Sequence, residues 1–335
     1  MRTALAGWLT VAVLATAAAA APPRIRLATL APKGTAYERV LLEMGEQWRN
    51  APGGGARLIL YTDGRMGGEA DAVKRMRVGQ IEAAMLTATG LAQIDDAVTA
   101  IQNMPMMFRS LDEVDYVRSK LQGDLEKRFL ERGFVLVAMG DSGWVKFFSA
   151  RPATMPDDFK KLKLFAWSGD TKVIDLWKAA GFNPVPLEIT DILTGLRTGL
   201  IEAVCSSPNY ALAGQFDGPA PHMLDLDWAP LVGGLVVTKD AWDRLNGPSR
   251  EAMLKAARWA GQEIQRRSRE ENVEAVKAMQ KRGLTVHAAT PAVVEAWRQT
   301  AEAAYPAIRT KSVPADQFDR VVELLKEYRA AQKGK

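Results

Sequence analysis

The sequence predicts an α/β protein of two lobes joined by crossing segments and a long helix, and three features predict it. Its 335 residues exceed what one small core organises and suit two domains of ordinary size. Short runs with strand-type alternation recur between longer runs with helical spacing, the pattern of α/β lobes on largely parallel sheets. A helical stretch from Pro248 to about Arg282 has no breaker but Gly261, and its centre, Gln265 to Asn272, is polar on every face. Such a helix suits a solvent-crossing brace between lobes, and equally an exposed surface helix.

The elements follow in order. Arg2, an apolar run from Leu5 to Ala18 and small residues from Ala17 to Ala21 read as a cleaved secretory signal peptide over 1–21. The run is too short and Ala-rich for a membrane span. Ile25, Leu27 and Thr29 mark a first strand. Thr35 and Glu38 form a capping box, opening a helix whose apolar stripe is Tyr37, Val40, Leu41, Met44 and Trp48. After the turn at Gly53-Gly54-Gly55 come a strand over Arg57 to Tyr61, a helix through Val73 and Met76, and a strand over Ala83 to Thr87. Ser110 and Glu113 make a second capping box before a helix through Val117 and Leu121. Strands over Phe134 to Met139 and Val145 to Ser149 lead out of the first lobe. The second lobe reads as a strand over Leu162 to Trp167, a helix through Trp177, a helix near Asp191 to Thr198 and a strand over Glu202 to Ser206. Gly233 to Thr238 returns to the first lobe. Helices over Pro291 to Ala307 and Pro314 to about Ala331 close the chain. The expected lobes are 24–146 with 231–265, and 147–230 with 266–335.

Composition excludes several functions. The net charge of +5 comes from 44 basic and 39 acidic residues mixed along the chain, without the basic block that nucleic-acid binding needs. Cys205 is the only cysteine, so no disulfide framework exists and its thiol reads as a small buried group. His222 and His287, the only histidines, have no metal-ligand spacing with it. No Gly-x-Ser-x-Gly elbow or phosphate loop occurs, and no pair of carboxylates stands out. The chain therefore reads as a binding protein, with no enzyme, metal or cofactor role.

Several fragments carry a resemblance. Leu27-Ala28-Thr29-Leu30-Ala31-Pro32-Lys33-Gly34, Met66-Gly67-Gly68-Glu69 and Lys74-Arg75-Met76-Arg77-Val78-Gly79-Gln80-Ile81 occur in order. Met104-Pro105-Met106-Met107-Phe108-Arg109-Ser110, Pro156-Asp157-Asp158-Phe159-Lys160-Lys161-Leu162-Lys163 and Leu196-Arg197-Thr198-Gly199-Leu200-Ile201-Glu202 follow. Together, over about residues 24 to 245, they resemble the DctP family of TRAP transporter substrate-binding proteins. The resemblance implies a two-lobe periplasmic-binding-protein fold (type II-like), with hinge strands and a long bracing helix. It also implies a periplasmic location and, as partners, the small and large membrane subunits of an ion-driven transporter.

The family's ligand is typically an organic acid, and the resemblance implies that an arginine after the Leu-Lys-[Ile/Leu] strand grips it. A guanidinium fork matches a carboxylate at two points. Here Leu162-Lys163-Leu164 is followed by Phe165, and a second basic position is Val145. Phe165 and Trp167, with Trp144 nearby, therefore suit a hydrophobic or aromatic ligand, although the same rings also satisfy a plain core reading. Thr29, Thr87, Thr89, Ser206 and Asn209 sit where the family places ligand contacts. Lys33 and Lys146 are the candidate partners if the ligand is instead a carboxylate. A third reading is a ligand sensor or lipid carrier that works without a TRAP permease.

Overall fold

The computed structural model describes residues 22–333, so the expected signal peptide lies outside the described residues. The first lobe begins with β1 (Arg24–Thr29), α1 (Ala36–Arg49), β2 (Arg57–Tyr61), α2 (Glu69–Arg77), β3 (Ala83–Thr87), α3 (Ala88–Leu91), α4 (Leu111–Glu131) and β4 (Phe134–Trp144). The second contains β5 (Lys146–Ser149), α5 (Pro156–Phe159), β6 (Lys163–Trp167), α6 (Thr171–Ala179), β7 (Asn183–Leu187), α7 (Ile192–Thr198), β8 (Ala203–Ser206), α8 (Pro208–Ala213) and β9 (His222–Asp225). Then follow β10 (Pro230–Thr238), α9 (Lys239–Asp243), α10 (Gly247–Lys281), β11 (Thr285–Ala288), α11 (Pro291–Lys311) and α12 (Ala315–Lys333).

Among the described residues these strands form two sheets, ordered β2-β1-β3-β10-β4 and β11-β9-β5-β8-β6-β7. Each is mixed rather than largely parallel. The chain leaves the first lobe on β4 and returns on β10, which therefore runs antiparallel to both β3 and β4. β5 likewise opposes β8 and β9. The sequence reading missed β7 because Pro184 and Pro186 interrupt it. They are tolerated because β7 is an edge strand that pairs only with β6.

The helix starts form by the expected chemistry with one shift. Thr35 Oγ1 accepts the N–H of Glu38, and Ser110 Oγ accepts that of Glu113. Each glutamate then accepts one residue further back than a capping box requires, from Gly34 N–H and Arg109 N–H. The stripe on α1 is fully buried at Val40, Leu41, Met44 and Trp48, and the Trp48 indole donates to the Met253 carbonyl of α10.

α10 is the crossing brace rather than an exposed helix. Its first half buries Met253, Ala257, Ala260 and Ile264 in the first lobe, and its last turns bury Ala275 and Met279 in the second. The polar centre is spent on the hinge. Arg269 donates to Asp141 of β4 at 3.0 and 2.6 Å and to Asp115 of α4 at 2.9 Å twice. Asn272 donates to the Ser142 carbonyl at 2.6 Å and accepts from the Asn209 N–H of α8 at 2.9 Å, so it ties the hinge strand to the second lobe. Gly143 in this strand has φ +77°, and a β-carbon there would meet Asn272 Nδ2 at 2.6 Å. Only glycine fits.

The C-terminal tail corrects one expectation. α11 starts in the second lobe, where Val293 and Trp297 are buried, but Ile308 near its end joins the core of the first. Phe318, Val321, Leu324 and Leu325 of α12 pack there against α4, and Arg329 pairs with Glu113. The apolar stripe of α12 thus takes residues from about 308 onward to the first lobe, whereas 266–335 was expected in the second.

Arg269→Met leaves the fully buried Asp141 carboxylate without its cation, an arrangement that costs about 3 kcal/mol. Urea denaturation is expected to show a loss of that size, partly recovered when Asp141→Asn is added. A loss below about 1 kcal/mol would contradict the anchoring role.

Candidate functional site

Two neighbouring cavities open between the lobes and share Leu231. The first, of about 140 Å³, lies at the carboxyl ends of β1 and β3, the place where α/β sheets present ligand contacts. Thr29, Thr87, Tyr37 and Glu69 line it from the first lobe, Ser207, Asn209 and Tyr210 from the second, with Ser142 of the hinge strand and Glu271 of α10. The Thr29 hydroxyl accepts the Ala31 N–H at 3.1 Å. Glu69 accepts from both the N–H and the hydroxyl of Thr87 at 2.6 Å. Burial nevertheless pushes its carboxyl above the usual range, against those bonds. Asn209 Oδ1 accepts from the Ser207 hydroxyl and the Tyr210 N–H.

Burial also pushes the Tyr37 hydroxyl up, and burial reinforced by the charge of Glu69 pushes that of Tyr210 up to about 12. Both stay protonated and act as neutral donors and acceptors.

The second cavity, of about 250 Å³, is mostly apolar. Phe165 and Trp167 of β6, Val145 between the crossing strands, Trp177 of α6 and Trp228 before β10 line it, with Ala301 and Ala304 of α11 behind. Trp177 and Trp228 stack at 5.6 Å and 25°, and Trp228 meets Phe147 and Trp297 at 5.4 and 5.3 Å. These contacts hold the rings in place without a ligand. The Trp167 indole donates to Glu188 at 3.1 Å, so one wall of the cavity has a fixed orientation. Among the described residues no lysine or arginine lines either cavity.

Of the residues singled out from the sequence, Thr29, Thr87 and Asn209 meet in the first cavity, and Val145, Phe165 and Trp167 in the second. Thr89, Trp144 and Ser206 line neither. Trp144 packs against the first lobe's core, and the Ser206 hydroxyl bonds the Ser207 carbonyl at 3.4 Å. Lys33 is exposed and takes part only through its N–H, which bonds Asp63. Lys146 Nζ is held by Asp225 and Asp227, both at 2.6 Å. The sequence reading did not single out Glu69, Glu271, Tyr210 or Trp228. It counted Tyr37 and Trp177 as ordinary helix stripe, and periodicity does not reveal that a stripe residue also faces a cleft.

The two histidines find each other, His222 Nδ1 lying 3.1 Å from His287 Nε2 on strands β9 and β11. Burial and the neighbouring His287 hold His222 below the ordinary imidazole value. The pair lies outside both cavities, and no group of three potential metal ligands occurs among the described residues.

Comparison with known proteins places these observations. The model of the family described as DctP, bacterial extracellular solute-binding protein family 7, matches residues 27–311. A solute-binding protein of Roseobacter denitrificans is 25% identical over 272 residues, covering 78% of this chain and 80% of the relative. The 2,3-diketo-L-gulonate-binding periplasmic protein of Escherichia coli is 25% identical over 238 residues, covering 70% and 71%. A TRAP periplasmic solute-binding protein of Shewanella oneidensis, solved with bound succinate, superposes with a TM-score of 0.83 at 16% identity, covering 91% of this chain and all of that one. At that identity the likeness is one of fold.

Cys205 lines the second cavity, and burial pushes its thiol well above the usual range. Little thiolate forms, so maleimide at pH 8 is expected to label the folded protein on the order of 100-fold more slowly than the urea-unfolded chain. Equal rates would place Cys205 on an open surface instead.

Proposed function

The chain belongs to the DctP family of bacterial extracellular solute-binding proteins, and on that premise we propose that it is the periplasmic receptor of a TRAP-type transporter, seating the hydrophobic or aromatic part of a small solute in the second cavity. The observation that carries the ligand class is the pairing of an aromatic lining with the lack of any lysine or arginine around both cavities among the described residues. Succinate and 2,3-diketo-L-gulonate, bound by the relatives, are acids. An acid buried in this cleft would find no fork to pair with, and an unpaired buried carboxylate is costly. Phe165 and Val145 stand where the resemblance puts the cations.

An organic-acid reading through Lys33 or Lys146 is less well supported. Lys33 is exposed, and two aspartates already neutralise Lys146. A sensing or lipid-carrier role without a permease has no observation of its own. The partners in this reading are the small and large membrane subunits, to which the loaded receptor delivers its solute.

Capture uses the two lobes as jaws. Lys172 of α6 reaches Asp96 of the first lobe at 3.3 Å, and Glu188 lies against Gly68, where a β-carbon would meet it at 2.9 Å. The Lys172–Asp96 pair is half exposed on both sides, so it contributes little by itself. A cleft closed by such weak contacts depends on its solute to stay shut and reopens once the solute leaves.

Native mass spectrometry of the purified protein, followed by thermal-shift titration, tests the reading. Aromatic and alicyclic compounds are expected to raise the melting temperature with concentration. Phe165→Ala should weaken them about tenfold through lost ring contact. A shift given by succinate or a hexuronate and untouched by Phe165→Ala would overturn the apolar ligand.

A further inference from the structure

The first cavity differs in chemistry from the second, and nothing in the apolar reading explains its lining. We propose that it holds the cationic head, a primary or secondary ammonium, of the same solute whose apolar part occupies the second cavity. The inference rests on the receptor reading above.

Charge carries the argument first. Glu271 projects from α10 into the cavity and has no hydrogen-bond or ion-pair partner among the described residues. The neighbouring cations of α10 are already engaged, Arg267 by Glu263 and Arg269 by Asp115 and Asp141. Glu69 adds a second carboxyl, and no lysine or arginine balances the two within the lining. A ligand carboxylate placed here would face like charge, whereas an ammonium would meet its complement.

The remaining walls fit the same group. Tyr37 and Tyr210 bring two aromatic rings to the cavity, and a ring face attracts a desolvated cation. Neither hydroxyl has a partner among the described residues, so each oxygen is available to accept an N–H. Thr29, a buried residue, lines the cavity, and its hydroxyl retains acceptor capacity beside its bond from Ala31. Burial first, and the carboxyls of Glu69 and Asp63 after it, push the Tyr210 hydroxyl up, so it stays neutral beside the cavity. A volume of about 140 Å³ suits a small head, and the shared Leu231 sets the two compartments side by side, within the span of one small molecule.

The test uses three matched probes: phenethylamine, 2-phenylethanol and 3-phenylpropionate. Binding is read by calorimetry and by the fluorescence of the cavity tryptophans. The amine is expected to bind at least tenfold more tightly than the carboxylate, with the alcohol between them. Glu271→Gln should cut the amine-to-alcohol affinity ratio by about tenfold, whereas Glu274→Gln, on the exposed side of the same helix, should leave it unchanged. Amine and alcohol binding equally, with no effect of Glu271→Gln on their ratio, would overturn the ammonium head and leave the apolar receptor standing. Preferential binding of the carboxylate, or no binding by any of the three, would overturn the head and count against the apolar cavity as well.

Discussion

The pairing of Arg269 with Asp141 and Asp115 is the constraint on which the rest of the molecule depends. Asp141 sits in β4, the strand along which the chain leaves the first lobe, and its side chain is wholly buried. The carboxylate is tolerable there only because α10 brings a bidentate cation to it. One turn further on, Asn272 holds the Ser142 carbonyl with one atom and the Asn209 N–H with another. The brace therefore fixes the hinge strand and one wall of the first cavity together. Glu271 lies between these two anchors, so its carboxylate is positioned by the same helix that sets the lobes.

Around that frame the cleft is divided by chemistry. β1, β3 and α8 supply hydroxyls and an amide and α2 the buried carboxyl of Glu69, whereas β6, α6 and α11 supply rings and alanines. The aromatic wall is held by ring-to-ring contacts among Phe147, Trp177, Trp228 and Trp297. A preformed apolar cavity of this kind loses little conformational freedom when a solute enters. Selectivity then falls to the polar compartment, where an unpaired carboxylate favours one sign of charge over the other.

Much of this was legible in the sequence, for physical reasons that differ by element. The stripe on α1 and the polar centre of α10 show in periodicity, because burial on one face leaves a pattern. The choice between brace and surface helix was not legible, since it depends on Asp115 and Asp141, residues far away in the chain. β7 was hidden by its prolines, and α12 went to the unexpected lobe because its stripe does not name the surface it will meet. Within the site, Phe165 and Trp167 were found through their place in the family pattern. Glu271 was not, because a glutamate in a polar helical run looks like any solvated charge.

The divided cleft is tested most directly by a crystal structure of the protein with the solute it carries when purified without refolding. An apolar group is expected against Phe165, Trp167 and Trp177, with a nitrogen within hydrogen-bond reach of Glu271. A carboxylate seated between the lobes, held by a basic side chain that swings into the cleft, would contradict it.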